Sequence, residues 1–564
     1  MKNLFLTFIL LFCLPCVDCF GDVKIVNQST RPILTVDGEP MLILGGELGN
    51  SAATSPADIE ETLSKVKKGG LNTVLVPAYW DLLEHREGEF DFSLIDSVID
   101  SAKQNNLKVV FLWFGAWKNS MSCYAPSWVK KDTKRFPRAY TETGKPMEIL
   151  SAFSEEVYAA DEKAFLSLLR HIRDYDKDNT VIMVQVENEI GMLESARDFS
   201  EIANARYEKG VPEELTAYLS ANEPELHPAL KERWEKNGKK MSGAWQEVFG
   251  DDIFTEEYFM AWNYAKYVER LAAAGKEVVS MPFYLNAAMN SRGRKPGEYP
   301  SAGPLPHLKD IWKAAAPSID FISPDIYDSG FEDWVAGYDF NGNVVFVPEV
   351  KRDFNNPAEA YYIIGHHKAL GISPFSIENG SDEYFDKLSA AYNVLNQLTP
   401  LLTKSKSVKL IEGALMTAEK PSTVIEDDSV RITLSHFFTL PWDPRAANKE
   451  NWNDAGAVLI KIAPEEYILA GTGVVAKFEH EKEIPQMQNL GEDGFASAGN
   501  QEVKDEKSGK TPRVGLLSVE EVEISPYGSL YRIRSFNGDE THQGRHARIS
   551  VDDNKILHIK TYNY

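Results

Sequence analysis

Short apolar runs alternate with amphipathic stretches along most of the chain. Between about residues 40 and 400, apolar runs rich in Val, Ile, Leu and Phe have the length and composition of buried strands. The eight runs are 40–46, 72–78, 108–114, 181–186, 277–285, 319–327, 343–350 and 371–377. The stretches between them carry helical spacing, and one of them opens on Ser55-Pro56 and closes on Gly69-Gly70. Eight strand–helix units predict an α/β protein with a (β/α)8 TIM barrel over residues 22–400.

The alternation of strands and helices is interrupted by one insert and ends near residue 400. A polar insert at about 192–255 interrupts the repeat after the fourth strand and has helical spacing. After residue 400, short alternating runs separated by Gly, Pro, Asn and Asp predict a smaller all-β domain over 401–564, of sandwich or jelly-roll type. Within it, the polar stretch 481–513 reads as a long loop.

The first residues have the features of an export signal. One lysine precedes an apolar stretch from Leu4 to Val17, which is short for a membrane span. We therefore expect residues 1–21 to be a signal peptide, with Cys16 or Cys19 as a possible lipid attachment site, and the protein to be periplasmic, anchored to the outer membrane or secreted. Only Cys123 lies outside this segment, so the predicted mature chain is not a disulfide scaffold.

Charge and motifs exclude several classes of function. A net charge of -24 argues against nucleic-acid binding, which needs a basic surface. The sequence has no H-E-x-x-H, EF-hand loop, P-loop or G-x-S-x-G motif, and G-T-G-V-V-A at 471–476 is not followed by a convincing helix. We therefore expect neither a metal nor another cofactor.

Two carboxylates stand at the ends of predicted barrel strands. The fourth strand runs into Glu187, Asn188 and Glu189, and the seventh ends at Glu349. Active sites of such barrels form at the carboxyl ends of the strands, and strands four and seven lie on opposite sides of the mouth. Two carboxyl groups about 5 Å apart can serve as acid/base and nucleophile in retaining glycoside hydrolysis. The alternative is that each belongs to a structural ion pair, with Lys351 or Arg352 beside Glu349.

Polar and aromatic residues follow other strands and could contact a sugar. Trp117 and Asn119 follow the third strand, and Tyr327 follows the sixth. Sugars stack their C–H faces on aromatic rings and need fixed polar partners for their hydroxyls. Any one of these aromatics is better explained by core packing, but several at successive strand ends favour contact with a sugar. Glu378, at the end of the eighth strand, could hold a substrate hydroxyl or pair with a lysine.

Two stretches resemble the glycoside hydrolase family 35 β-galactosidases. The segment G-L-N-T-V-L-V-P-A-Y-W-D-L-L-E-H-R-E-G-E-F-D-F-S at 70–93 is similar to the matching segment of that family, and V-Q-V-E-N-E-I-G at 184–191 is close to its acid/base motif. A-P-S-W-V at 125–129 echoes its Leu-Pro-x-Trp-Leu. The likeness extends over roughly 40–380. Around Glu349 the flanks V-P-E-V-K-R differ from the commoner Asn-Ser-Glu-Phe, and Trp117-Lys118-Asn119 replaces Cys-Ala-Glu.

The resemblance implies roles for individual residues. Glu189 takes the acid/base role and Glu349 the nucleophile's place, while Asn188 contacts the sugar 2-hydroxyl. The departures are similar to a divergent bacterial branch that trims galactose from plant xyloglucan and carries a C-terminal β-domain. The implied activity is removal of terminal β-galactosyl units from plant-type oligo- or polysaccharides by double displacement. Another retaining β-glycosidase and a non-catalytic glycan-binding protein remain alternatives, and the oligomeric state is open.

Overall fold

The computed structural model describes residues 23–27, 31–289, 293–403, 408–440, 442–482 and 512–564. The predicted signal peptide and most of the predicted loop at 481–513 lie outside the described residues. A three-stranded antiparallel sheet, Val23–Asn27, Pro32–Val36 and Glu39–Met41, precedes the barrel. No helix among the described residues is long and apolar enough to cross a membrane.

Eight parallel strands close into a barrel, as the apolar runs predict. Each strand pairs with its neighbours in the chain, and the eighth pairs with the first. Their residues are buried almost throughout, because the lumen side and the helix side both exclude water. In chain order the barrel strands are Ile43–Glu47, Thr73–Tyr79, Lys108–Phe114, Val181–Gln185, Phe283–Ala288, Phe321–Ile326, Val347–Val350 and Gly371–Pro374.

Helices surround the barrel and fill the insert after the fourth strand. The predicted start at Ser55 is confirmed, since its hydroxyl accepts the N–H of Asp58 while Pro56 occupies the first turn. Around the barrel lie Pro56–Val66, Trp80–Leu83, Ser93–Gln104, Ser127–Lys131, Glu155–Tyr175, Ile253–Lys276, Lys309–Ala315, Phe331–Ala336, Asn356–Gly365 and Asp382–Thr403. The insert contributes Glu201–Tyr207, Glu213–Ala221, Pro228–Lys236 and Trp245–Phe249.

The fifth strand begins later than the prediction of 277–285 placed it. Val278 and Val279, which read as strand residues, both donate their N–H groups to the carbonyl of Gly275 and so close the preceding helix. Pro282 has no N–H to give to a sheet, and the strand starts just after it, at Phe283. The shift carries the strand to Ala288 and puts Asn286 near its carboxyl end.

The C-terminal part is all-β, as predicted. One sheet runs in the order Leu410–Met416, Ala455–Ala463, Glu466–Thr472, Lys555–Asn563, Val514–Ile524 and Leu530–Phe536. The other runs in the order Ser422–Asp427, Val430–His436, Val474–His480 and Ala547–Arg548. Apolar side chains of both sheets, such as Ile432 and Leu469, share one core, which makes this part a sandwich. Other residues of the first sheet, including Val458 and Ile460, join the core of the barrel.

Candidate active site

The carboxyl ends of the barrel strands bring Glu189 and Glu349 into one buried site. Glu349 lies within the seventh strand, and Glu189 follows the fourth strand by four residues. The two side chains belong to residues only 5% and 4% exposed. The charge of Glu349 is also close enough to raise the pKa of Glu189, second only to burial as a cause. Sequence position alone predicted that this pair would meet, and the structure places the two side chains together.

The loop after the third strand holds the Glu187–Glu189 segment in place. The N–H of Asn188 donates to the carbonyl of Trp117, and the N–H of Asn119 donates back to the carbonyl of Asn188. Glu187 and Glu189 both have left-handed backbones, with φ of 60° and 45°. Non-glycine residues seldom adopt this conformation, and each costs about 1 kcal/mol or more. Strained backbone of this kind is concentrated at functional sites, where surrounding structure holds it in place.

Glu189 is placed to carry a proton near neutral pH. Its own N–H donates to Oδ1 of Asn286 at 2.9 Å, which fixes the residue, and Lys118 Nζ lies 3.8 Å from its Oε2. Burial, followed by the charge of Glu349, raises the pKa of Glu189 to about 7, and Lys118 opposes the rise. The carboxyl group is therefore protonated below neutral pH and can act as a general acid.

Glu349 is held in a different environment. The hydroxyl of Tyr327 donates a hydrogen bond to its Oε1. Its Oε2 is buried and has no hydrogen-bond partner among the described residues. Burial and the adjacent carboxylate raise the pKa of Tyr327, so this phenol stays protonated and remains a donor. The hydroxyl of Tyr327 thus fixes one oxygen of Glu349.

Unpartnered polar atoms are concentrated around this pair. An atom buried without a partner costs about 1–3 kcal/mol, so a cluster of them indicates a site that a polar ligand completes. Both amide atoms of Asn188 are in this condition, and its contact to a sugar hydroxyl stays a prediction. The others near the pair are both oxygens of Glu47, Oδ1 of Asp325, the hydroxyls of Tyr284 and Ser373, and Oε2 of Glu189.

The sequence-predicted sugar contacts have different positions in the structure. Trp117 is fully buried, its indole N–H donates to the Leu150 carbonyl, and its ring packs against Tyr264 and Tyr267. Because it has no exposed face, its place is that of a core residue and the expectation of a sugar platform is wrong. Asn119 is exposed beside the Asn188 backbone and can still reach a ligand.

Two further predictions gain detail from the structure. Tyr327 is 45% exposed, so its ring can meet a sugar, but its hydroxyl is engaged by Glu349. Glu378 accepts the N–H of Gly49 on one oxygen and side-chain donors on the other, which makes it a loop-fixing residue. The partners of its carboxylate are therefore not lysine side chains. Lys65 Nζ donates to the main-chain carbonyl of Glu378 instead.

Glu187 belongs to a separate buried carboxyl pair behind the site. Its Oε2 accepts the N–H of Trp117 at 2.8 Å. Its neighbour Asp161 accepts the indole N–H of Trp113 at 2.9 Å and the hydroxyl of Tyr267 at 2.8 Å. Burial and Asp161 raise the pKa of Glu187 well above its usual range, so the pair shares a proton. Glu187 therefore supports the wall of the barrel, while Glu189 faces the site.

Several site residues carried no recognisable signal in the sequence. Asn286 was hidden because the fifth strand was placed too early. Asp325 and Lys118 lie close to Tyr327 and Trp117, and the sequence pattern singled out only these aromatic residues in the two segments. Glu47 ends the first strand in I-L-G-G-E, and its position at a strand terminus is the one signal that could have identified it. Among the described residues, no group of three or more His, Cys, Asp or Glu side chains could hold a metal ion.

The fold and the site together describe a (β/α)8 barrel with paired carboxyl groups at strands four and seven. Comparison with known proteins agrees. Residues 33–241 match the family model described as glycosyl hydrolases family 35, a range that includes Asn188 and Glu189 and ends before Glu349. Residues 388–548 match a model described as a domain of unknown function, DUF5597. Over residues 33–241, less than half of its length, the chain is therefore similar to the glycosyl hydrolases of family 35.

Individual relatives cover only part of the chain. It is 26% identical over 200 residues to Beta-galactosidase-1-like protein 3 of Rattus norvegicus, a match spanning 34% of this chain and 29% of that protein. The β-galactosidase of the psychrophilic Marinomonas ef1 aligns with a TM-score of 0.43 and 11% identity, covering 63% of this chain and 59% of its own. That of Bacillus circulans sp. alkalophilus aligns with a TM-score of 0.43 and 14% identity, covering 65% and 57%.

Proposed function

We propose that this protein is a glycoside hydrolase, and specifically a retaining exo-β-galactosidase that removes terminal β-galactosyl units from plant-type oligo- or polysaccharides. The observation that carries the proposal is the unlike surroundings of two neighbouring buried carboxyl groups. Glu189 keeps a proton because of burial and the charge of Glu349, whereas Glu349 accepts the hydroxyl of Tyr327 on one of its oxygens. A retaining glycosidase needs one acid and one nucleophile.

The reaction follows from that division. Oε2 of Glu349 attacks the anomeric carbon of the terminal sugar while Glu189 passes its proton to the leaving glycosidic oxygen. Glu189 is then ionised and removes a proton from water, and the water oxygen attacks the anomeric carbon and releases Glu349. Asn188 donates to the sugar 2-hydroxyl, an interaction that strengthens in the transition state. No step uses a metal or another cofactor.

The sugar is tested with a panel of p-nitrophenyl glycosides. We expect hydrolysis of the β-galactoside and much slower hydrolysis of the α-galactoside, β-glucoside, β-xyloside and β-mannoside. Proton NMR of the first product should show β-galactose before mutarotation, as retention requires. Activity on another β-glycoside alone would identify a different retaining glycosidase on this barrel. The protein would instead be a glycan-binding protein if the native chain bound glycan tightly without turnover and Glu349→Gln bound it equally well.

We further infer that the protein is exported, because residues 4–17 are apolar and follow a lysine. In that case it acts on glycans outside the cytoplasm, either as a free protein or anchored to a membrane by a lipid on Cys16 or Cys19. Mass spectrometry of the N-terminal peptide purified from the natural host tests this inference. A chain retaining Met1 would contradict it.

A further inference from the structure

A third carboxyl group, Glu47, lies beside Glu349 with no donor of its own. Glu47 ends the first barrel strand, where it bridges to Phe375 after the eighth strand. The residue is 1% exposed, and neither of its side-chain oxygens meets an N–H or O–H donor among the described residues. A charged carboxylate in such surroundings is very unfavourable. The side chain must therefore be neutral or be paired with something that the site supplies.

Glu349 is the neighbour that determines the protonation state of Glu47. Its carboxyl group faces that of Glu349, and burial together with the charge of Glu349 raises the pKa of Glu47 well above its usual range. Two buried carboxyl groups that face each other must share a proton. Glu349 already accepts the hydroxyl of Tyr327, whereas in the described part of the chain neither oxygen of Glu47 has a donor that could stabilise a charge, so the proton resides on Glu47.

The charges of the site also indicate that Glu47 is neutral, because the carboxyl groups described there outnumber the cations. Lys118 is the cation that acts on Glu47, and a single ammonium group can balance one carboxylate. Asp325 differs from Glu47, because it accepts the side-chain N–H of Asn286 at 2.6 Å and acts on Glu349 through charge alone. The titratable groups that face Glu47 are Lys118, Glu189, Tyr284, Asp325, Tyr327 and Glu349.

We propose that Glu47 is a positioning residue, whose neutral carboxyl group donates a hydrogen bond to Glu349 and, with Tyr327, holds that carboxylate in one orientation. The inference rests on the proposed function, since it gives Glu47 a role only if Glu349 is the nucleophile. It has a distinctive consequence. When Glu47 loses its proton, the donor is lost and two like charges meet, so attack by Glu349 should slow at alkaline pH.

The test isolates the step in which Glu349 attacks. The probe is 2,4-dinitrophenyl 2-deoxy-2-fluoro-β-D-galactoside, whose leaving group needs no proton, and the background variant is Glu189→Gln, which removes the other titration. Labelling is followed by intact mass from pH 5 to pH 10. We expect the rate in this background to fall at least about tenfold toward pH 10, and by less than about twofold when Glu47→Gln is added.

Two further variants serve as controls. Glu47→Ala should label at least about tenfold more slowly than Glu47→Gln at pH 6, because the amide keeps a donor and Ala does not. Glu359→Gln removes a buried carboxyl group on the helix Asn356–Gly365 that hydrogen-bonds to Asn356, and should leave the pH profile unchanged. Melting temperatures at each pH verify that all variants are folded. If Glu47→Ala does not fold, the pH profiles with and without Glu47→Gln still decide.

The outcomes separate this inference from the proposed function. A label on Glu349 with the same pH profile in the presence and absence of Glu47→Gln would overturn the role of Glu47 and leave the nucleophile intact. Equal slowing by Glu47→Gln and Glu47→Ala would also overturn it. No label on the native chain at any pH would instead contradict the nucleophile assignment, and with it any carboxylate for Glu47 to hold.

Discussion

Replacing Glu349 by Gln should lower the pKa of Glu189, whereas replacing Lys118 by Met should raise it. Glu349→Gln removes the negative charge that disfavours a second carboxylate. Lys118→Met removes the positive charge 3.8 Å from Glu189 Oε2. Opposite shifts from two neighbouring substitutions are hard to produce by a general change in packing, so the pair tests the electrostatic account of the acid.

The size of the effect follows from the charges. The pKa of Glu189 is raised from 4.5 to about 7, which corresponds to about 3.4 kcal/mol between its two protonation states. Burial is the larger cause and survives the substitution. Two carboxylates about 5.5 Å apart repel by about 3 kcal/mol at an effective dielectric constant of about 20, which sets an upper limit of about two pKa units. We therefore expect Glu349→Gln to bring the pKa of Glu189 to about 5–6.

The assay is carbon-13 NMR of protein labelled at the glutamate side-chain carboxyl carbons. The resonance of Glu189 is assigned by its loss in Glu189→Gln, and its shift is followed from pH 4 to pH 9. Glu359→Gln serves as a control that removes another buried carboxyl group and should leave the titration of Glu189 unchanged. The electrostatic account is refuted if Glu349→Gln leaves the pKa of Glu189 unchanged or raises it.

Three other changes test separate parts of the account. Glu189→Gln should slow hydrolysis of poor leaving groups by about 100-fold or more and of dinitrophenyl galactosides far less, because only the former need the proton; the same selectivity in Glu187→Gln would mean that the acid is misassigned. Tyr327→Phe should lower kcat by about tenfold with little change in melting temperature, and an unchanged kcat would show that its hydrogen bond does not position Glu349. Burial raises the pKa of Glu359 to about 8, so the folded state keeps a proton that the unfolded state loses between about pH 4.5 and pH 8. The free energy of unfolding should therefore fall by about 1.4 kcal/mol per pH unit across that window, a fall that Glu359→Gln removes in urea denaturation at pH 5 and pH 8; equal slopes in the two proteins would contradict this.

The barrel was predictable because its signal is local. Each apolar run is buried on both faces, so a reader of the sequence can count strands without knowing how they pair. Where the prediction was wrong, a local feature competed with the pattern. Val278 and Val279 have strand-type side chains, but their N–H groups complete a helix end and Pro282 delays the strand. The cost of that error was Asn286, which lies on the part of the strand that the prediction omitted.

The site was only partly predictable because its chemistry is not local. Glu189 and Glu349 could be identified, since each follows a buried strand and strand positions on a barrel are known. Trp117 could not be assigned to core or pocket, because the sequence does not indicate which side of the loop its ring packs against. Glu47 gains its meaning from Glu349, which is 302 positions away in the chain and joins it only when the barrel closes.

The most direct test of the central claim is to locate a trapped sugar on the protein. The native chain is inactivated with the dinitrophenyl fluorogalactoside, digested and sequenced by tandem mass spectrometry, with Glu349→Gln treated in parallel. The account predicts one fluorogalactosyl group on the side chain of Glu349 and none on the variant. A stable adduct on any other residue, or no adduct on the native chain under conditions in which it hydrolyses the nitrophenyl β-galactoside, would contradict it.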